Sequence, residues 1–226
     1  MKVKALVLSL SFVSMCMLVS AQTSRGQELL TDPGFESQTA APNPNPTGIP
    51  GWSTFGGAGF SNSVAHTGSE SMFMNGAPGG YFVPGAFENL AATTGLQYTL
   101  SGYVYTPNAL VSGSNDFAIL QLTFWTGGPP NNYGTGTGTS FGVNVGTPAS
   151  GPAVALPQGV WTFASITATA PAGTNSVGAF MLNINADSNA VFAFDDLSLT
   201  AVPEPASLTL LGLGLAGCVF VARRRR

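Results

Sequence analysis

Gln97-Tyr98-Thr99-Leu100-Ser101-Gly102-Tyr103-Val104-Tyr105-Thr106 is the stretch that decides the fold. Successive side chains of a strand point to opposite faces, so Tyr98, Leu100, Gly102, Val104 and Thr106 share one face, while Thr99, Ser101, Tyr103 and Tyr105 share the other. Phe117 to Trp125 repeats the pattern, with Ala118, Leu120, Leu122 and Phe124 on one side and Phe117, Ile119, Gln121, Thr123 and Trp125 on the other. Outward from these two segments the chain breaks into short β-rich runs punctuated by Gly, Pro, Thr, Ser and Asn, and no segment has the periodicity of a helix. Further strands are expected at Glu28-Leu29-Leu30, from Gly51-Trp52, at Ser71 to Met74, over Tyr81 to Leu90 broken at Pro84-Gly85, at Phe141 to Val145, at Val160 to Ala168, at Ser176 to Asn185 and at Ala190 to Thr200. The sum is an all-β sandwich of about eight to ten strands. Thr126 to Pro157, with its Gly134-Thr135-Gly136-Thr137-Gly138-Thr139 run, is expected to be mostly a long loop.

Both ends of the chain carry sorting features. Lys2 and Lys4, the apolar Ala5 to Val19 and the small-residue site Val19-Ser20-Ala21 form a signal peptide over residues 1–21. At the other end Val202-Pro203-Glu204-Pro205 precedes an uncharged run from Ala206 to Ala222 and then Arg223-Arg224-Arg225-Arg226. As a helix the run is roughly 25 Å long, a few ångströms short of a bilayer core, and the arginines would hold its end on the cytoplasmic side. Pro-Glu-Pro, a short apolar helix and a terminal Arg cluster resemble the PEP-CTERM sorting domain. The resemblance implies an exported protein of a Gram-negative bacterium, held in the inner membrane for a time. The membrane protease exosortase would then process it, leaving it at the cell surface or secreted among extracellular polysaccharide.

What lies between the signals is acidic. Lys2, Lys4 and the four terminal arginines leave Arg25 alone of the seven basic residues, against Glu28, Asp32, Glu36, Glu70, Glu88, Asp116, Asp187, Asp195 and Asp196. Nothing can neutralise phosphates, which excludes nucleic acid and makes anionic lipid an unattractive partner. Neutral sugars and cations such as Ca²⁺ remain. Cys16 and Cys218 both fall in the terminal signals, so disulfides do not frame the domain.

The order of Leu29-Leu30-Thr31-Asp32-Pro33-Gly34-Phe35-Glu36, Gly51-Trp52, His66-Thr67-Gly68-Ser69, Tyr98 to Val104, Trp161 to Thr174 and Phe194-Asp195-Asp196-Leu197-Ser198-Leu199 is similar to a carbohydrate-binding module of the galactose-binding-like jelly-roll kind. The resemblance spans residues 28–200 and implies a structural Ca²⁺ joining the first strand to the last. Glu36 and Asp195 would supply carboxylates, and Asp32 and the Gly68-Ser69 turn would complete an oxygen shell. It also implies sugar binding by aromatic rings, for which Trp125 and Tyr133 beside the long segment, and Trp52, Phe55 and Tyr81 elsewhere, are the candidates. Trp161 reads as core.

Catalysis has little support in the sequence. His66 is the only histidine, and no motif marks a nucleophile beside it. Asp195 and Asp196 are adjacent in a strand and are expected to point to opposite faces, a poor acid–base pair. The Gly-Thr run lacks the lysine and helix of a phosphate-binding loop. The expectation is a non-enzymatic envelope or matrix protein, with a defined glycan-binding module or a β-sandwich hydrolase as alternatives.

Overall fold

The computed structural model describes residues 26–37, 50–76, 83–112, 114–127, 134–148, 150–185 and 190–203. The signal peptide, Tyr81, Tyr133, Glu204, Pro205, the apolar run and Arg223 to Arg226 lie outside the described residues. The strands are β1 (Ser53–Phe55), β2 (Ala58–Ser61), β3 (Ser71–Asn75), β4 (Gly85–Ala91), β5 (Leu96–Tyr105), β6 (Asp116–Gly127), β7 (Gly136–Thr147), β8 (Ala153–Val154), β9 (Thr162–Thr169), β10 (Thr174–Asn185) and β11 (Val191–Pro203). They form two sheets, one ordered β1-β4-β10-β6-β7-β8 and the other β2-β3-β11-β5-β9. All pairings within them are antiparallel except the short β7–β8 contact. The fold is an all-β jelly-roll sandwich.

The alternation read from the sequence sets the core. Leu120, Leu122 and Phe124 of β6 face Leu100 and Val104 of β5 across the sandwich, joined by Met72, Met74, Met181, Phe192, Phe194 and Leu199, all fully buried. Burying a side chain of this size stabilises by roughly 1.5–3 kcal/mol, so the two best-alternating strands are also the two best anchored.

Three expectations change. Glu28-Leu29-Leu30 forms no strand; Glu28 makes a single bridge to Thr200, and its Oε1 accepts from Leu29 N, Leu30 N and Leu199 N. The segment expected to be mostly loop contains the twelve-residue β7, registered along the whole of β6 from Asp116↔Thr147 to Gly127↔Gly136. Its Gly-Thr half carries no alternation because it is exposed on both faces. The last strand also runs past Thr200: Ala201, Val202 and Pro203 stand opposite Tyr98, Gln97 and Leu96 of β5. The sorting motif therefore begins inside the sheet.

Candidate functional sites and the sorting tail

Where β11 crosses from β3 to β5 its register slips between Asp195 and Ser198, and Asp196 adopts φ 47°. This β-bulge undoes the strand alternation. Asp195 and Asp196 do not point to opposite faces, as expected above; both reach the turn that begins at His66. Asp195 Oδ2 accepts from His66 N at 2.7 Å and Thr67 N at 3.2 Å, and its Oδ1 accepts from Asp196 N. Asp196 Oδ2 bonds His66 Nδ1 at 2.6 Å, and its Oδ1 accepts from Thr67 Oγ1 at 2.6 Å. From the N-terminal side Glu36 takes the other half of the same turn, accepting from Ser69 N, Ser69 Oγ and Glu70 N. First and last parts of the domain are thus clipped together through residues 66–70, with Leu197 N donating to Pro33 O beside them.

Electrostatically the clip is strained. Burial pushes Asp195 up to about 6, against the N–H donors that favour its charged form. Burial pushes Glu70 up too, with Glu36 and Asp32 adding repulsion, and Glu70 Oε2 is buried without a hydrogen-bond partner. Burial also acts on Glu36, but the Glu70 and Ser69 donors outweigh it and hold that carboxyl below its usual range. No lysine or arginine occurs among the described residues. Asp32, Glu36, Glu70 and Asp195 place carboxylates around the clip, and Glu70 keeps an unpartnered buried oxygen. Among the described residues, however, no three acidic or histidine side chains converge as a metal shell, so backbone carbonyls and water would have to contribute.

His66 stacks on Tyr103 at 3.7 Å between ring centroids and meets the edge of Trp161 at 5.6 Å. Trp161 also packs on Tyr105, and Tyr103 on the exposed Phe163. Trp161 is therefore only half-buried, on the outer face of the β5–β9 sheet, and is not the core residue expected from its position before an alternating run.

A different aromatic group lies on the outer face of the other sheet. Rings run across β1, β4, β10 and β6: Phe55 to Phe87 at 6.2 Å, Phe87 to Phe180 at 5.0 Å, and Phe180 to Trp125 at 5.9 Å. Gly178 leaves the space in which this strip forms; a Cβ there would stand 2.6 Å from Asn89 Oδ1, Phe180 Cε2 and Trp125 Cη2. Asn89 Oδ1 is shielded from solvent and has no hydrogen-bond partner. Along the other side, Gln121 Nε2 donates to Thr123 Oγ1 at 3.0 Å and Thr123 Oγ1 pairs with Ser140 Oγ at 2.9 Å. Flat rings, amides and hydroxyls without a charge are the chemistry of a pyranose platform.

Of the aromatic candidates, Trp125 belongs to this strip and so does Phe55, which is 39% exposed. Trp52 does not. It is buried, packs on Phe35 at 5.4 Å and donates Nε1–H to Thr31 O, so its role is to tie the first segment to the core. The sequence reading missed Phe87, Phe180 and Asn89, whose only signal is an outward position on strands that pairing places side by side.

Residues 201–226 match the family described as the PEP-CTERM protein-sorting motif. The tail is a sorting signal. No curated protein matches the chain. Solved structures similar to it include a Stig cyclase from Fischerella sp. TAU, at 15% identity over 78% of this chain and 97% of that one, TM-score 0.53. The enzymatically active domain of a tailspike protein of bacteriophage CBA120 matches at 11% identity over 77% of this chain, TM-score 0.50; the chain spans 21% of that tailspike chain. A CBM22-1 xylan-binding domain from Paenibacillus barcinonensis matches at 18% identity over 79% of this chain and 97% of that one, TM-score 0.48. Carbohydrate-binding modules and enzymes both occur among these neighbours, and at such identities the likeness is one of fold.

The raised pKa of Asp195 has a definite sign in stability. The folded state holds this proton more tightly than the unfolded chain, so the contribution is complete below pH ~4 and lost as pH rises through about 6. At about 1.4 kcal/mol per pH unit between those values it amounts to about 3 kcal/mol. The thermal midpoint should fall between about pH 4 and pH 7, and the slope should flatten in Asp195→Asn whatever that variant does to absolute stability. A slope in the variant as steep as the parent's would show that the proton binds elsewhere.

Proposed function

We propose that this is a non-enzymatic exported protein whose PEP-CTERM tail is processed by exosortase, and whose domain contacts neutral extracellular polysaccharide in the envelope or matrix. The observation that carries the sorting half is the family match over 201–226. In a host that contains exosortase, the chain should accumulate in a form shortened by its tail. Glu204→Ala should leave the full-length form in the inner membrane, seen as a slower band in the membrane fraction. Equal processing of both would remove the motif from the argument.

The strip Phe55–Phe87–Phe180–Trp125, with Asn89, Gln121, Thr123 and Ser140 beside it, supports the polysaccharide half. Aromatic rings flanked by uncharged amides and hydroxyls favour a flat, uncharged ligand, and disfavour an anionic one in an acidic domain. In affinity electrophoresis through neutral polysaccharides such as xylans, galactans or glucans, wild type should be retarded. Trp125→Ala should lose about tenfold in affinity, the worth of one ring contact of roughly 1–1.5 kcal/mol, with an unchanged melting temperature. No retardation by any of them would leave the sorting reading standing and reject this one. The His66–Asp196 pair is accounted for by the clip it closes, in which Asp196 also holds Thr67 Oγ1 and His66 lies stacked on Tyr103.

Calcium belongs to the same proposal as a structural ion. Glu36 and Asp195 would supply carboxylate oxygens, with backbone carbonyls near Asp32 and the turn at Ser69 and water completing the shell, and the ion would favour the charged form of Asp195 that burial disfavours. Added Ca²⁺ should raise the melting temperature at pH ~7 and EDTA should lower it, the effect shrinking below pH ~5 as Asp195 takes its proton. A melting curve unmoved by either would reject the ion.

A further inference from the structure

The two flanks of the sandwich end very differently. On one, the sheets stop at β1 and β2, of three and four residues, too short to template another strand. On the other they stop at β7 and β9, which lie against each other across the sandwich. The stub β8 covers β7 only at Asn144 and Val145, so among the described residues Gly136 to Val143 pairs on one side alone. Thr162 to Ala168 of β9 likewise pairs only with β5. Neither stretch contains a charge or a proline. Soluble proteins ordinarily blunt long edges with lysine, proline or bulges, and none of these devices is present here. Gly136, Gly138 and Gly142 are exposed, which in a glycine means exposed backbone. Three of the five exposed large apolar side chains among the described residues, Phe141, Val160 and Phe163, sit on or beside these edges.

We propose that this flank is an interface between two copies of the chain, built by pairing β7 with β7 of the second copy. Two open edges lying against each other call for a partner that presents two edges side by side in the same way. A second copy does. A two-fold axis running from one sheet to the other sets β7 antiparallel to its counterpart and β9 to its own, and the midpoint of the free stretch puts that axis beside Thr139 and Ser140. Pairing a strand with itself brings like residues together, which the absence of charge between Gly136 and Val143 permits. The Gly-Thr run, which lies outside the core and the clip and leaves room at Gly134 and Gly138 for Asn89 and Trp125, is then the contact strand. Its threonines suit the extended conformation. The glycan face lies on the outside of the same sheet, so pairing would join two strips into one longer platform without covering either.

The test uses the full chain in detergent micelles. Sedimentation should show twice the protein mass of a monomer, reduced to monomer by Thr139→Lys, which sets like charges beside the axis, with no change in melting temperature. In a Cys16→Ser, Cys218→Ser background, Thr139→Cys should give a disulfide-linked dimer under mild oxidation, and Ser53→Cys on β1 should not. A monomeric wild type, a dimer that survives Thr139→Lys, or equal cross-linking from both cysteines would overturn the proposal; the last two would assign association to the tail or to chance collision.

Discussion

Backbone N–H groups do in this domain what basic side chains do in most proteins. The described residues hold no lysine or arginine, so a buried or half-buried carboxylate has only amides, hydroxyls and one histidine to turn to. Glu28 takes Leu29, Leu30 and Leu199, Glu88 takes Thr31, Glu36 takes Ser69 and Glu70, and Asp195 takes His66 and Thr67. Each of these acceptors joins parts of the chain remote in sequence, because local amides are already committed to the sheet ladders. The segment before β1 has almost no strand pairing of its own and is held to the sandwich by these bonds, by Trp52 and by Phe35. At Asp195 burial drives the pKa upward in spite of three N–H donors, and at Glu70, one oxygen of which has no partner, burial does the same. The clip is therefore both what closes the jelly roll and its least comfortable part.

The sequence announced the fold wherever one face of a strand is buried and the other is wet. In β5 and β6 that condition holds over the whole strand, and the inward residues are the ones expected from the pattern. It fails in β7, whose Gly-Thr half is exposed on both faces; a strand without a buried face leaves no periodic trace, and only its pairing with β6 reveals it. At Asp195 and Asp196 it fails for the opposite reason. Alternation was present in the residues, but a bulge with Asp196 at positive φ breaks it, and a single sequence gives no sign of a bulge at a non-glycine residue. Trp52 and Trp161 exchanged roles because residue type alone does not say which tryptophan has room to lie under a neighbouring segment.

The candidate sites were legible in proportion to how local they are. The sorting tail is contiguous in sequence and could be read outright. The ends of the clip were recognisable as acidic segments near the two ends of the domain, while the turn's amide donors, as backbone groups, carry no residue signature. The aromatic strip is the least local. Its rings come from residues 55, 87, 125 and 180, and what unites them is cross-strand register: Phe87 stands opposite Phe180, and Gly178 opposite both Asn89 and Thr123. Of these the sequence reading singled out Trp125 and Phe55, and passed over Phe87 and Phe180 because Phe is ordinarily a core residue.

The end of β11 ties sorting to folding. Val202 and Pro203 are opposite Gln97 and Leu96, and Ala201 packs on the core, so the sorting motif starts where the sheet stops, with no linker between them. In the proposed topology the apolar run begins three residues after Pro203, which allows at most ~10 Å of extended chain between sheet and bilayer. The turns at that end, around Thr93 to Leu96 and Ala170 to Thr174, carry no charge, Glu28 lies beside Thr200, and the carboxylates of the clip lie at the far end of the nine-residue stretch of β11 from Asp195 to Pro203. The same geometry limits the protease. Proteases take their substrates extended and unpaired, and Val202 and Pro203 are extended but still in register with β5. Processing upstream of Glu204 has to peel the end of β11 from the sheet, whereas processing downstream leaves the sandwich intact. Under the proposed processing, a cut upstream of Glu204 would make the stability of the last few rungs of the β5–β11 ladder part of the sorting reaction.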